Sequence, residues 1–165
     1  MSDRPSPKDS SRHFGQGLRC PSLPMGSSKQ TYVAVVDDDE KVCQAFGRLL
    51  RAAGFQPITY PSAEAFLADT KQPRFDCLVL DVQLDGMSGI ELAQRLKVER
   101  GPPAFIFITA HDDPIARSEA EAAGCAAYFQ KTDSGAQVLE AIRRATTSEP
   151  ANGRITQQRR TITIS

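Results

Sequence analysis

Four apolar runs in this chain each lead into residues able to do chemistry. Tyr32–Val36 runs into Asp37 and Asp38, Cys77–Leu80 into Asp81, and Ala104–Ile108 into Thr109, while Ala126–Phe129 is followed across Gln130 by Lys131. Three carboxylates held close together repel, and left alone they would raise one another's pKa or weaken the fold. A divalent cation removes the conflict, and an all-oxygen donor set completed by water suits Mg²⁺. One carboxylate then remains free to act as a nucleophile toward a phosphoryl donor. A lysine can pair with a phosphoryl oxygen, and a threonine hydroxyl can hydrogen-bond the transferred group. Each residue alone has an ordinary explanation, such as a turn or a helix cap. Their joint placement at strand ends argues for a site.

The elements that must position these residues alternate. After the first strand, Val42, Phe46, Leu49, Leu50 and Ala53 fall on one helical stripe, with Asp39 suited to cap its start and Gly54 its end. Phe55–Tyr60 reads as a second strand, and Pro57, which lacks an N–H, places it at a sheet edge. Pro61-Ser62 opens a short helix through Ala63, Phe66 and Leu67. The turn Asp85-Gly86-Met87-Ser88-Gly89 leads into a helix with Leu92, Ala93 and Leu96 facing inward. Pro102-Pro103 breaks the chain before the fourth strand, and Ala116, Ala120 and Ala123 mark a helix that stops at Gly124. A last helix carries Val138, Ile142 and Ala145. Strands apolar on both faces require helices on both sides of a parallel sheet. With right-handed crossovers and the second strand at an edge, the expected fold is α/β, a flavodoxin-like doubly wound sheet of order 2-1-3-4-5. Ligands of such sheets bind beyond the carboxyl ends of the strands, where the strand order reverses, and the four chemical runs converge there.

The expected domain limits are 31–147 for the folded unit, with polar tails at 1–30 and 148–165. The first tail is rich in Ser, Pro and Gly without periodicity, which predicts disorder; Met25 near its end is an alternative start of translation, testable by intact mass. Twenty Lys and Arg balance twenty Asp and Glu, so no global field favours nucleic acid or an anionic membrane. No apolar run approaches the roughly 20 residues of a membrane span, and no secretory signal opens the chain, so a cytoplasmic location is expected. Cys20, Cys43, Cys77 and Cys125 form no C-x-x-C pair and read as reduced structural thiols.

Residues from about Thr31 to Ala145 resemble the receiver domain of bacterial two-component response regulators. The resemblance rests on Val35-Val36-Asp37-Asp38, Leu78-Val79-Leu80-Asp81, Met87-Ser88-Gly89, Ile108-Thr109-Ala110 and Phe129-Gln130-Lys131, in the family's order. It implies that Asp81 is the phosphoacceptor. It further implies that Asp37, Asp38, Asp81 and the backbone carbonyl of Gln83 hold Mg²⁺, and that Lys131 and Thr109 bind the phosphoryl group. Tyr128 matches the family's switch aromatic, which turns inward as Thr109 moves toward the phosphoryl group. A histidine kinase or a histidine phosphotransfer protein is the implied donor, a stand-alone receiver acting through a protein partner is the implied role, and a phosphorylation-dependent homodimer is compatible with it. His111 and Gln83 fall where the family tunes dephosphorylation, whereas His13 lies in the polar tail.

Two positions depart from the family pattern. Thr132 stands where proline usually follows the lysine, so Lys131 is expected to be less rigidly aimed. Asp85-Gly86 stands where proline often follows the phosphoacceptor, loosening that turn. Two other functions compete. A receiver-like interaction module that is never phosphorylated is slightly favoured by Thr132, while the intact aspartate set argues against it. A Mg²⁺-dependent phosphohydrolase with an aspartate nucleophile needs an acid/base aspartate two residues on, where Gln83 stands.

Overall fold

A computed structural model describes residues 29–98 and 101–147. Ten elements alternate: β1 Tyr32–Val36, α1 Glu40–Ala52, β2 Gln56–Tyr60, α2 Ala63–Ala68, β3 Cys77–Asp81, α3 Gly89–Lys97, β4 Ala104–Thr109, α4 Pro114–Ala122, β5 Ala127–Gln130 and α5 Gly135–Thr147. All strand pairs are parallel and the order is β2-β1-β3-β4-β5, as the alternation predicts. Pro57 sits on edge strand β2 opposite Val33, where a strand has only one ladder partner and a missing donor costs little.

Local chemistry sets the boundaries. Asp39 caps α1 by accepting from Lys41 N–H, and Gly54 follows its last turn at φ +89°. Ser62 caps α2, and Pro61 lies outside the helix. At α3, Ser88 and Glu91 form a reciprocal capping box, Ser88 Oγ accepting from Glu91 N–H and Glu91 Oε2 from Ser88 N–H. Asp113 caps α4, whose first residue is Pro114.

The period-two alternation of the central strands divides the core into two layers. Ala34 and Val36 of β1, Leu78 and Leu80 of β3, and Phe105 and Phe107 of β4 pack with Phe66, Ile90, Leu92, Leu96 and Ala120 of α2, α3 and α4. Val33 and Val35, Cys77 and Val79, and Ile106 and Ile108 pack on the other face with Cys43 and Leu50 of α1 and Val138 and Ile142 of α5. The α1 stripe is rotated from the sequence expectation: Cys43, Gly47 and Leu50 are its buried residues, while Val42, Phe46 and Ala53 sit at the margin. Cys43, a small side chain, packs with Leu50 against that face of the sheet. Cys77 is fully buried, as expected of a small apolar residue, and burial pushes its thiol up to about 12. No helix among the described residues is long and apolar enough to cross a membrane. The tail assignments, Met25, His13 and Cys20 lie outside the described residues.

Candidate functional site at the carboxyl edge of the sheet

The alternation that builds the two layers also sorts the polar residues at the strand ends. Asp37, Asp81 and Lys131 continue the parity of Val35, Val79 and Phe129, whereas Thr109 and Tyr128 continue the parity of Phe107 on the opposite face. Parallel pairing of Val36 with Leu80 brings the first two carboxylates side by side.

Lys131 joins them. Its ammonium lies 2.8 Å from Asp81 Oδ2 and 2.9 Å from Asp37 Oδ2, and it donates to Asp37 Oδ1 at 3.2 Å. Among the described residues, Asp37, Asp81 and Thr109 are the buried polar ones. Asp37 Oδ1 also accepts from Asp39 N–H at 2.8 Å, and Asp81 Oδ1 accepts from Gln83 N–H at 3.0 Å. Cys43 Sγ donates to the Asp37 carbonyl at 3.3 Å. Burial pushes the carboxyls of Asp37 and Asp81 above the usual range, with the Lys131 hydrogen bond the largest opposing influence on each. For Lys131, burial opposes the charge, but the hydrogen bonds to Asp81 and Asp37 outweigh it and its pKa rises. Its proton is therefore firmly held.

Asp37, Asp38 and Asp81 offer carboxylate oxygens within 4.8 Å of one another, Asp38 from an exposed position. Asp37 Oδ2 is buried in charge contact with Lys131, yet no hydrogen-bond donor is aimed at it. An all-oxygen cluster with an unsatisfied buried lone pair suits a hard divalent cation, and Mg²⁺ fits this donor set. Gln83 keeps its side chain exposed while its backbone N–H anchors Asp81.

Thr109 is spoken for within its own loop. Its hydroxyl donates to the His111 carbonyl at 2.7 Å and accepts from His111 N–H at 3.2 Å. Tyr128 packs against the α2–α4 layer, its hydroxyl buried close to that of Thr109 without a well-formed hydrogen bond. Burial pushes the phenol pKa up, and the Thr109 hydroxyl works against it. The Arg117 guanidinium lies 4.7 Å from the Tyr128 ring centre and is held by Asp112 at 3.1 Å.

Thr132 stands beside a Lys131 that is directed at both carboxylates. The described backbone contains no cis peptide, and Lys131 still bridges both carboxylates. Lys131 N–H donates to the Thr109 carbonyl at 2.7 Å, while Asp133 accepts from Gln130 N–H at 2.7 Å and returns its own N–H to the Gln130 carbonyl at 2.9 Å. This Asp133 turn holds the lysine loop. Sequence reasoning missed Asp133, Cys43, Arg117 and Glu64. Only Asp133 had a readable signal, as an Asp two residues beyond a strand-end lysine, a position suited to side-chain-to-backbone turns.

Residues 33–143 match the response regulator receiver domain family. Transcriptional regulatory protein FixJ of Bradyrhizobium diazoefficiens is 33% identical over 124 residues, covering 73% of this chain and 59% of FixJ. Response regulator protein TodT of Pseudomonas putida is 33% identical over 119 residues, covering 72% of this chain and 52% of TodT. The crystal structure of a response regulator receiver protein from Burkholderia phymatum is 41% identical, with a TM-score of 0.62, over 71% of this chain and 95% of that one. The chain belongs to the response regulator receiver domain family. It spans little more than half the length of these curated relatives. Receiver domains are in general phosphoacceptor switches of two-component systems. They hold Mg²⁺ in an acidic pocket and work with kinases or phosphotransfer proteins.

Proposed function

We propose that this chain accepts a phosphoryl group on Asp81, from a histidine kinase or a histidine phosphotransfer protein, and thereby changes its binding to a protein partner. The observation that carries the reading is the Lys131 ammonium bridging two buried carboxylates, at 2.8 Å from Asp81 and 2.9 Å from Asp37. A lysine so placed can follow a phosphoryl oxygen that joins Asp81, because its charge is already held over that carboxylate. Mg²⁺ would be held by Asp37, Asp38, Asp81 and the Gln83 carbonyl, and when bound it would neutralise charge on the phosphoryl oxygens.

A carboxylate oxygen of Asp81 attacks phosphorus, the bond to the donor imidazole nitrogen breaks, and an acyl phosphate results. Lys131 then exchanges its contact with Asp81 for one with the phosphoryl group. Thr109 must give up the His111 carbonyl, now 2.7 Å away, to reach the same group. Its departure releases the β4–α4 loop and changes the surroundings of the Tyr128 hydroxyl, a two-state packing change biased by new charge. The partner then reads the surface around Tyr128. The reading includes a cytoplasmic location without direct contact to nucleic acid or membrane, and a homodimer formed on phosphorylation is one form the response would take. The folded unit is proposed to run from 31 to 147.

The test is phosphoryl uptake from acetyl phosphate, with and without Mg²⁺, read by intact mass beside Asp81→Asn. A Mg²⁺-dependent gain that is absent from the variant is expected. Undiminished uptake by Asp81→Asn would overturn the assignment.

A further inference from the structure

The segment that follows Asp81, residues 82–88, packs on the core through Val82, Leu84 and Met87, but its backbone makes few hydrogen bonds. Val82 N–H donates to the Ile108 carbonyl at 2.9 Å, Gln83 N–H to Asp81 at 3.0 Å, and Ser88 N–H to Glu91 at 2.8 Å. The middle of the segment is held from elsewhere. Glu64, in the first turn of α2, accepts from Met87 N–H at 2.8 Å through Oε1. Among the described residues, it is the only side chain outside Asp81 and α3 that accepts from this backbone.

Gly86 is shaped to the contact. It has φ +84°, and a Cβ there would lie 2.8 Å from the same Glu64 oxygen. The Met87 N–H also holds the Glu64 carboxyl below its ordinary pKa, with smaller help from its own backbone N–H. Glu64 is therefore anionic and engaged at neutral pH. Since α2 begins just beyond the carboxyl end of β2, this carboxylate reaches the loop from the same edge of the sheet as Asp81.

We infer that Glu64 is a positioning residue for the cation site: by fixing the Gly86–Met87 peptide it sets the path of the loop that presents the Gln83 carbonyl beside Asp81. The inference rests on the reading of Asp81, Asp37, Asp38 and Gln83 as the Mg²⁺ ligands. Gly86 lends the exposed Asp85-Gly86 pair a permissive backbone, and the contact restricts it before an ion arrives. Groups that orient a ligand without touching the metal commonly alter affinity by tenfold or more.

The experiment is a Mg²⁺ titration of the full chain by calorimetry, for wild type, Glu64→Ala and Glu64→Gln, with Met87 amide exchange followed by NMR. Glu64→Ala is expected to weaken Mg²⁺ binding roughly tenfold and to speed Met87 exchange, with little change in thermal midpoint because the side chain is on the surface. Glu64→Gln keeps an acceptor oxygen and should restore both. If Glu64→Ala binds Mg²⁺ as wild type does, the positioning role is wrong. If Glu64→Gln is as weak as Glu64→Ala, the residue acts through its charge and the role is equally wrong. A wild-type chain that binds no Mg²⁺ would remove the ligand assignment itself and this inference with it.

Discussion

Gly89 is the point where helix α3 meets the end of strand β3, and replacing it with alanine tests whether the site depends on that approach. A Cβ at this position would stand 2.1 Å from the Asp81 carbonyl oxygen, 3.1 Å from its carbon and 3.2 Å from Leu80 Cβ. An ordinary carbon–oxygen contact is about 3.4 Å, so helix and strand must part by roughly 1 Å. The strand cannot yield cheaply, because Leu80 and Asp81 are paired with Phe107 and Ile108 of β4, and Leu80 with Val36 of β1. The helix resists too, held by Ile90, Leu92, Ala93 and Leu96 and by its capping box. Overpacking of this kind costs about 1–3 kcal/mol. With backbone on one side of the clash the upper end applies, a fall in Tm of roughly 10 °C for a domain of this size. A displacement near 1 Å at a reacting group can also cost about 100-fold in rate, so phosphoryl uptake should fall further than stability alone explains. Gly47→Ala is the control, since its Cβ would meet nothing closer than Arg51 Nη1 at 3.6 Å. Within helix α1 it should gain about 0.5–1 kcal/mol from helix propensity. Thermal melts and acetyl phosphate uptake on both variants decide the matter. A Gly89→Ala protein with wild-type Tm and uptake would refute the reasoning.

Lys131→Met leaves Asp37 and Asp81 facing each other without a counter-charge. Breaking a fully buried pair costs about 3–5 kcal/mol; because the Lys131 side chain is 20% exposed, about 2–3 kcal/mol is expected at pH 7 by urea titration. The loss should shrink on adding Mg²⁺ or lowering the pH. Asp37 and Asp81 have raised pKa values in the fold, so each ionised carboxyl opposes folding, and stability present below their unfolded pKa is lost as pH rises through the folded values. Asp81→Asn should therefore be as stable as wild type or up to about 1 kcal/mol more stable at pH 7 without Mg²⁺, with the difference fading in acid; a marked loss of stability would contradict this. Phe107→Ala empties a fully buried position of the α2–α4 layer and should cost about 3–5 kcal/mol in urea unfolding. Arg117→Ala removes the cation above Tyr128; NMR of the Tyr128 ring should show a changed environment, and an unchanged ring signal would dismiss the contact.

The strand order and the polar strand ends were legible because they follow from local rules. Continuous apolar runs at β3 and β4 demanded helices on both faces, Pro57 demanded an edge, and parallel order alone brought Asp37 next to Asp81. The α1 face was misjudged by part of a turn because Cys43 and Gly47, both buried, carry little hydrophobic weight in a sequence. Thr132 suggested a poorly aimed lysine; the hydrogen bonds of the Asp133 turn beside it are reported by no composition or periodicity. The Glu64–Met87 contact joins residues 23 positions apart, and nothing local to either one announces it. Arg117 above Tyr128 was hidden for the same reason, since it depends on the packing of α4 against β5.

The two-sided packing of the sheet has a consequence for how this molecule can change over time. The lysine and the two buried aspartates belong to the side backed by α1 and α5, while Thr109 and Tyr128 look toward α2, α3 and α4. The central strands send alternate side chains to separate compartments, so a substitution in one seldom touches a neighbour in the other, and effects at separated sites tend to add. Changes on the α2–α4 side can therefore accumulate with the packing around the lysine and the two aspartates left as it stands, and changes on the α1–α5 side can do so with the Tyr128 surroundings intact.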